Sequence, residues 1–266
     1  MFFRVLVANI IYMSFWEIII LSVIQGITEF LPVSSSGHLV MAEHFLGLTN
    51  PETNLLLIVM LHLASLLAII ISFYEEIIEM IFNPQILYLV IIGTIPAGLV
   101  GYLFNDQISR LFSSPLVAGI GLLLTGVYLM LAELHWKGSP TTLARATTKQ
   151  AFWVGLAQMV AIIPGISRSG TTLATGLLNG WDRQAAIKFS FLLAIPVIGG
   201  ASILKLKDFG KLSGSLQPIP IIVGFIICLG VSLLAINLLV RMVRKGKLSY
   251  FAWYCLIVGL GIIVFI

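Results

Sequence analysis

The sequence predicts an all-α, polytopic integral membrane protein with about six transmembrane helices, two re-entrant helical hairpins and an inverted-topology repeat. Three observations lead to this prediction. The 266-residue chain is 59% hydrophobic and 10% charged, whereas soluble domains average about 45–50% and about 25%. Long apolar stretches recur along the chain, and two similar polar strings interrupt them. The net charge of +4 is small and lies in loops, so it predicts topology and no nucleic-acid partner.

Apolar stretches of roughly 18–22 residues are each long enough to cross a hydrocarbon core about 30 Å thick. They cover residues 55–73, 86–104, 115–134, 186–204, 219–240 and 249–266. A further apolar run, 5–24, contains Glu17 and lacks a small-residue cleavage site. We therefore expect this run to be retained, because a signal peptide would carry such a site.

Two polar strings are the most informative part of the chain. The first begins at Gln25 and reads QGITEFLPVSSSGH, and the second begins at Gln158 and reads QMVAIIPGISRSGTT. A shift of 133 residues, half of the chain, brings them into register. Proline, glycine and serine favour a break in the helix, and non-helical backbone at membrane depth persists only when protein or a wet cavity surrounds it. The strings therefore predict re-entrant hairpins at roughly 8–46 and 150–180.

Loop charges predict the orientation. Two loops, here called the two basic loops, cover residues 135–150 and 241–247. Their basic residues are Lys137, Arg145 and Lys149 in the first loop and Arg241, Arg244, Lys245 and Lys247 in the second. Both loops should be cytoplasmic by the positive-inside tendency. Two apolar stretches separate them, so they share a side only if 150–180 is re-entrant. The acidic loop 74–85 then also lies inside.

The same count along the chain makes the repeat antiparallel. The first hairpin opens from outside and the second from the cytoplasm, so their turns meet near the membrane centre. The halves of the repeat are roughly 8–134 and 150–266, within a single integral membrane domain, 1–266. Inverted repeats of this kind form binding sites where the two halves meet.

The polar strings also predict the chemistry of a site. Gln25 and Glu29 share one helix face, and a carboxylate buried there requires a metal, an arginine or a protonated histidine. Arg168 offers planar donors that suit phosphate. Second helices beginning at about 38 and about 171 would direct their N–H groups at an anion. Together these features predict a site for a phosphorylated ligand, and its position at membrane depth favours a lipid tail.

These strings resemble the two motifs of the bacterial undecaprenyl-diphosphate phosphatase (bacitracin-resistance) family. Gln25-x-x-x-Glu29 followed by FLPVSSSGH resembles the first motif, and PGISRSGTT, which begins at Pro164, resembles the second. The resemblance implies a membrane phosphatase that converts undecaprenyl diphosphate to undecaprenyl phosphate and inorganic phosphate, recycles the cell-wall carrier lipid and confers bacitracin resistance. It further implies a multi-pass location in the bacterial cytoplasmic membrane, with a site open to the outer, periplasmic face.

The resemblance also implies roles for single residues. The catalytic residues would be Glu29, Ser35, His38 and Arg168. A divalent cation, Mg²⁺ or Ca²⁺, would bind at Glu29, with Gln25 as a second candidate ligand; glutamine at that position leaves one carboxylate in the pair. The expected substrate-binding residues are Gln25, Ser34, Ser36, Ser167, Ser169 and Thr172. Ser35 would attack phosphorus while Glu29 or His38 accepts its proton, and His38 as the direct nucleophile is the rival.

Other interpretations stay open at this level. Glu29 and Arg168 form a purely structural ion pair in one of them, and the serines serve only to pack helices closely in another. A transporter or lipid flippase is the rival function, since inverted repeats with broken helices are transporter architecture. A second class of membrane phosphatases needs a later histidine that the chain lacks after His135, so we reject it. A homodimer is compatible with this interpretation.

Overall fold

The structure is a computed structural model that describes residues 13–48, 51–112, 114–138, 141–208 and 218–265. Residues 8–12 of the predicted hairpin 8–46 and residues 5–12 of the apolar run 5–24 lie outside these ranges. Within them the fold is all-α, as predicted, and the only β-type pairing described is an isolated bridge between Thr141 and Trp181. The helices are α1 Phe15–Thr28, α2 Ser35–Phe45, α3 Pro51–Ser72, α4 Tyr74–Phe82, α5 Pro84–Leu103, α6 Asn105–Leu111, α7 Pro115–His135, α8 Thr148–Val160, α9 Arg168–Leu178, α10 Arg183–Asp208, α11 Pro218–Arg244 and α12 Leu248–Phe265.

Both polar strings form the turn of a helical hairpin, α1–α2 and α8–α9. The predicted second-helix starts were wrong by three residues, because α2 begins at Ser35 and α9 at Arg168. The reason is the serine before each helix. The Oγ atoms of Ser34 and Ser167 each accept a hydrogen bond from the backbone amide three residues later, which is the geometry of an N-cap.

The second hairpin returns to the side from which it enters. Gln150 at the start of α8 donates from Nε2 to the carbonyl of Asn179 after α9, over 2.8 Å. The amide of Asp182 bonds the carbonyl of Thr141 over 3.0 Å, so the segments before and after the hairpin are adjacent. In the first hairpin, Met13 and Leu46 pack on one apolar cluster. Both ends of the first hairpin therefore pack on the same apolar cluster.

Five helices are long and apolar enough to cross a membrane by length and composition within the described residues: α5, α7, α10, α11 and α12. The remaining predicted span, residues 55–73, corresponds to α3, which continues into α4 after a bend of 77°. The prediction of a loop at 74–85 was therefore wrong, since Tyr74–Phe82 is helical. Likewise α11 extends to Arg244, which shortens the second basic loop to residues 245–247.

The two basic loops lie at the same end of the molecule. Arg183 at the start of α10 pairs with Glu133 near the end of α7 over 2.9 Å, and it donates to the carbonyl of Val243 near the end of α11 over 3.2 Å. The amide of Leu248, the first residue of α12, also bonds Glu133. The helix ends beside both basic loops thus meet at one cluster, as the charge argument requires.

The helix starts repeat along the chain. Helices α8, α9 and α12 each begin 133 residues after α1, α2 and α7, respectively. Packing between the halves repeats too, since a Cβ on Gly155 of α8 would lie 2.5 Å from the carbonyl oxygen of Gly93 on α5, and one on Gly224 of α11 would lie 2.8 Å from the Oγ of Ser22 on α1. The first helix of each hairpin therefore packs closely on a long helix of the other half. The repeat limits at 8–134 and 150–266 stay a prediction.

Candidate active site

The two turns touch each other inside the protein. A Cβ on Gly37 would lie 3.0 Å from the Cα of Gly165, so backbone meets backbone there. The hydroxyl of Ser169 donates to the carbonyl of Leu31 over 3.3 Å, and this bond links the second turn to the first. The contact places the starts of α2 and α9 at one site, which is the convergence that the sequence predicts.

Glu29 is the centre of the site. Its Oε1 accepts a hydrogen bond from Nη2 of Arg168 at 2.8 Å. Its Oε2 accepts from the Ser35 hydroxyl at 2.6 Å and from Nε2 of Gln25 at 3.1 Å. The Glu29 residue is only 8% exposed, so the arginine supplies the positive charge that a buried carboxylate requires. Ser35 therefore faces a carboxylate that is positioned to accept its proton.

His38, the fourth residue of α2, has different partners. Its Nδ1 is 2.8 Å from the carbonyl oxygen of Ser34, and its Nε2 is 2.8 Å from the hydroxyl of Tyr254 on α12. The two rings are stacked, with centroids 5.6 Å apart and an interplanar angle of 12°. The Ser35 hydroxyl and the His38 ring thus bond separate partners, which favours Glu29 as the proton acceptor.

Ser34 holds an unusual backbone conformation between these two groups. Its φ is 65° and its ψ is 98°, and among the described residues it is the one non-glycine residue with positive φ. Such conformations cost about 1–3 kcal/mol and cluster at functional sites. The conformation aims the Ser34 carbonyl at His38 and the Ser34 hydroxyl at the start of α2.

The remaining predicted substrate-binding residues brace the turns. The hydroxyl of Ser34 is 3.1 Å from that of Ser36, and the hydroxyl of Ser167 is 3.3 Å from that of Ser169. Thr172 is 2.6 Å from Ser190 on α10 through their hydroxyls. All of these contacts are internal, so substrate contact by these hydroxyls stays a prediction.

The sequence reasoning missed three polar residues that support the site: Tyr254, Thr125 and Ser190. The Thr125 hydroxyl on α7 accepts a hydrogen bond from the amide of Ser167 at 3.0 Å. It lies 3.1 Å from the carbonyl oxygen of Gly165, to which it can donate one. All three lie within apolar stretches and outside both strings. Their signal was the presence of a polar group at membrane depth, where such groups are costly and tend to be functional.

Two buried polar atoms at the site have no hydrogen-bond partner within the described part of the chain: Oε1 of Gln25 and Nη1 of Arg168. Buried atoms of this kind call for an explanation, such as a bound ion or ligand. The free amide oxygen beside the Glu29 carboxylate suits a hard, oxygen-binding cation. The free guanidinium nitrogen suits a phosphate oxygen. No group of three or more His, Cys, Asp or Glu residues able to hold a metal occurs among the described residues.

Comparison with known proteins identifies the family. The family described as bacitracin resistance protein BacA matches residues 18–261. The chain belongs to this family. The match includes both polar strings and reaches from α1 to α12, so it covers most of the chain and not one motif. The resemblance inferred from the two strings is confirmed.

Curated relatives agree in length and in name. The chain is 42% identical to the undecaprenyl-diphosphatase of Halothermothrix orenii, over 95% of this chain and 98% of the relative. It is also 42% identical to that of Carboxydothermus hydrogenoformans, over 95% and 97%. The undecaprenyl-diphosphatase of Methanobrevibacter smithii is 41% identical, again over 95% and 97%. These BacA-type relatives carry one activity in their names.

Proposed function

We propose that this protein is a membrane phosphatase that hydrolyses undecaprenyl diphosphate to undecaprenyl phosphate and inorganic phosphate. This activity recycles the carrier lipid of cell-wall synthesis and confers bacitracin resistance. One observation carries the chemistry: the hydroxyl of Ser35 lies 2.6 Å from a carboxylate that Arg168 holds in place. Family membership and the names of the relatives support the substrate.

Ser35 is the nucleophile in this mechanism. Its hydroxyl oxygen attacks the terminal phosphorus while Glu29 accepts the proton through Oε2. A bond forms between Ser35 and phosphorus, and the phosphoanhydride bond breaks, which releases undecaprenyl phosphate. Glu29 passes this proton to the departing undecaprenyl phosphate. Water then attacks the phosphoserine while Glu29 accepts its proton, and Glu29 returns that proton to the Ser35 oxygen as inorganic phosphate leaves. His38 is the less favoured nucleophile, because its ring nitrogens face Ser34 and Tyr254.

Arg168 and the two helix starts bind the phosphates. The free Nη1 of Arg168 donates to a phosphate oxygen while Nη2 keeps its bond to Glu29. The first-turn N–H groups of α2 and α9 lack intrahelical partners and carry partial positive charge. Donors positioned in advance stabilise the charge on the transferring phosphoryl group.

A divalent cation, Mg²⁺ or Ca²⁺, is part of this proposal. Glu29 and the free Oε1 of Gln25 would hold it, and substrate phosphate oxygens would complete the set, because Mg²⁺ is often bound through one or two carboxylates plus phosphates. The bound cation would supply charge neutralisation to the diphosphate. All other steps fall to Ser35, Glu29, Arg168 and the backbone.

The protein is a multi-pass membrane protein, and we place it in the bacterial cytoplasmic membrane. Its site opens to the outer face in this proposal. The support is the position of the two basic loops, which lie at the end from which the second hairpin enters, so the first hairpin enters from the opposite face. The lipid tail of the substrate lies in the bilayer beside the site. A homodimer remains a prediction.

Phosphate release by purified protein tests the proposal. Protein in detergent is mixed with undecaprenyl diphosphate and Mg²⁺, and inorganic phosphate is measured. The wild type should release phosphate, and Ser35→Ala prepared in the same way should not. A transporter would bind the lipid and release no phosphate, because detergent leaves no compartments to separate. That result would replace the phosphatase by the flippase interpretation.

A further inference from the structure

Tyr254 of the last helix contacts His38 in two ways. Its hydroxyl is 2.8 Å from Nε2, and its ring stacks on the imidazole. We propose that Tyr254 is a positioning residue of the phosphatase reaction, which acts by holding the His38 ring in one orientation and one tautomer. This inference rests on the proposed function for its kinetic part and on the geometry alone for its structural part.

The hydrogen-bond partners determine the tautomer. The carbonyl oxygen of Ser34 can only accept, so Nδ1 of His38 must carry the proton in their 2.8 Å contact. In the neutral ring Nε2 then has a lone pair, and the Tyr254 hydroxyl donates to it. Each ring nitrogen thus has the partner that its role requires. Loss of the hydroxyl removes the bond that distinguishes this orientation from a flipped ring.

Helix α12 is fixed against the first turn independently of this bond. The next residue, Cys255, donates from Sγ to the carbonyl of Pro32 over 3.5 Å. Farther along, a Cβ on Gly259 would lie 2.8 Å from the carbonyl oxygen of Gly119 on α7, so the two helices pack at backbone distance. The position of Tyr254 is therefore set by helix packing, and the tyrosine can restrain His38 and not merely follow it.

Comparison of the two halves shows that the tyrosine is a departure from the repeat. Tyr254 is the seventh residue of α12, and Gly121 is the seventh residue of α7. A Cβ on Gly121 would lie only 2.5 Å from the carbonyl oxygen of Pro164, so α7 contacts the second turn through backbone. At the equivalent place α12 presents a phenol to the first turn. The difference falls in the half that carries Glu29, Ser35 and His38.

The restraint reaches the nucleophile through the backbone. The His38 ring bonds the carbonyl of Ser34, whose φ of 65° is strained, and Ser35 follows directly. A ring held by Tyr254 keeps this carbonyl in place and so helps to hold the Ser35 hydroxyl against Glu29. Tyr254 makes no bond to the phosphate-binding donors described above. Its loss should therefore lower kcat and leave KM nearly unchanged.

The test compares Tyr254→Phe with Tyr250→Phe as a matched control. The first change keeps the ring and deletes the hydroxyl that bonds His38. The second makes the same change one turn away on the same helix, at a residue that is 61% exposed. Phosphate release from undecaprenyl diphosphate in detergent yields kcat and KM. We expect Tyr254→Phe to lower kcat about tenfold, the upper range for one hydrogen bond, with KM within about twofold, and Tyr250→Phe to match the wild type.

Nitrogen NMR of ring-labelled histidine supplies the structural readout. The signal of His38 is identified by its loss in His38→Asn. The wild type should show the Nδ1–H tautomer, and Tyr254→Phe should show a mixture of tautomers. A wild-type Nε2–H tautomer overturns the proposal, as does a kcat of Tyr254→Phe equal to that of the wild type. If the wild type releases no phosphate, the proposed function fails, while the tautomer still tests the Tyr254–His38 contact.

Discussion

Arg168 and Glu29 are 139 residues apart in the chain and meet through a 2.8 Å ion pair between the two turns. The arginine comes from the second hairpin and the carboxylate from the first. The same carboxylate accepts a hydrogen bond from the hydroxyl of Ser35. One pair of charges therefore joins the halves of the molecule and positions the nucleophile, which makes its structural and catalytic parts separable by experiment.

The first prediction separates these two parts. Glu29→Gln leaves the Arg168 guanidinium buried without its partner, and we expect a loss of about 3–5 kcal/mol in stability together with loss of activity. The double change Glu29→Gln with Arg168→Met removes both charges and should recover most of the stability while remaining inactive. Thermal unfolding in detergent and phosphate release are the two measurements. Recovery of turnover in the double variant would show that the pair is only structural.

The second prediction concerns the nucleophile. Ser35→Ala should lower phosphate release by about a thousandfold or more, because no oxygen remains to attack phosphorus. Ser22→Ala in the same hairpin is the control, since the Ser22 hydroxyl bonds the Ile18 carbonyl of its own helix at 2.6 Å. After reaction with undecaprenyl diphosphate that is radiolabelled in its terminal phosphate, the acid-quenched protein should carry the label on Ser35 as an acid-stable phosphoester. An acid-labile phosphohistidine at His38 would favour the rival nucleophile.

The third prediction uses the strained backbone at Ser34. Ser34→Gly should raise stability by about 1 kcal/mol, since glycine adopts positive φ without cost and replaces a capping serine with a loss of only a few tenths. Ser34→Ala keeps the strain and loses the cap, so it should lower stability by about 1 kcal/mol. The thermal unfolding midpoints of the two variants should move in opposite directions. Equal shifts would mean that the φ of 65° stores no strain.

The fourth prediction tests the close packing of the second turn against α7. Gly165 has a φ of +88°, and a Cβ there would overlap the carbonyl oxygen of Ala118 on α7, so Gly165→Ala should displace the second turn from α7 and abolish both folding and activity. Gly138 also has positive φ, +78°, but has open space around its Cβ position. Gly138→Ala should cost only about 1 kcal/mol. Similar yields of folded protein for both would contradict the close packing.

The fifth prediction concerns the divalent cation. Chelation with EDTA should stop phosphate release, and added Mg²⁺ or Ca²⁺ should restore it. Gln25→Glu places a second carboxylate beside Glu29, which should lower the Mg²⁺ concentration for half-maximal activity by about tenfold, since ligand charge strengthens binding to hard cations. Titration of Mg²⁺ against phosphate release measures this shift. An unchanged midpoint would exclude Gln25 as a cation ligand.

Local sequence patterns predicted much of this structure. The hairpins follow from helix-breaking residues within apolar stretches, and the shared face of Gln25 and Glu29 follows from their spacing of four. The helix starts at Ser35 and Arg168 and the helix α4 were missed. A capping serine and a short amphipathic helix depend on hydrogen bonds and bends that apolar periodicity does not register.

The sequence by itself determined the membrane class, the two hairpins and the residue types of the site, because polarity at membrane depth and helix breaking are properties of short segments. Only the tertiary structure decided which of these side chains bond each other. It assigned Ser35 to Glu29 and His38 to Tyr254, which is 216 residues away. Such partners depend on how distant helices pack. Within its own apolar stretch, nothing in the local sequence distinguishes Tyr254 from a tyrosine without a role at the site.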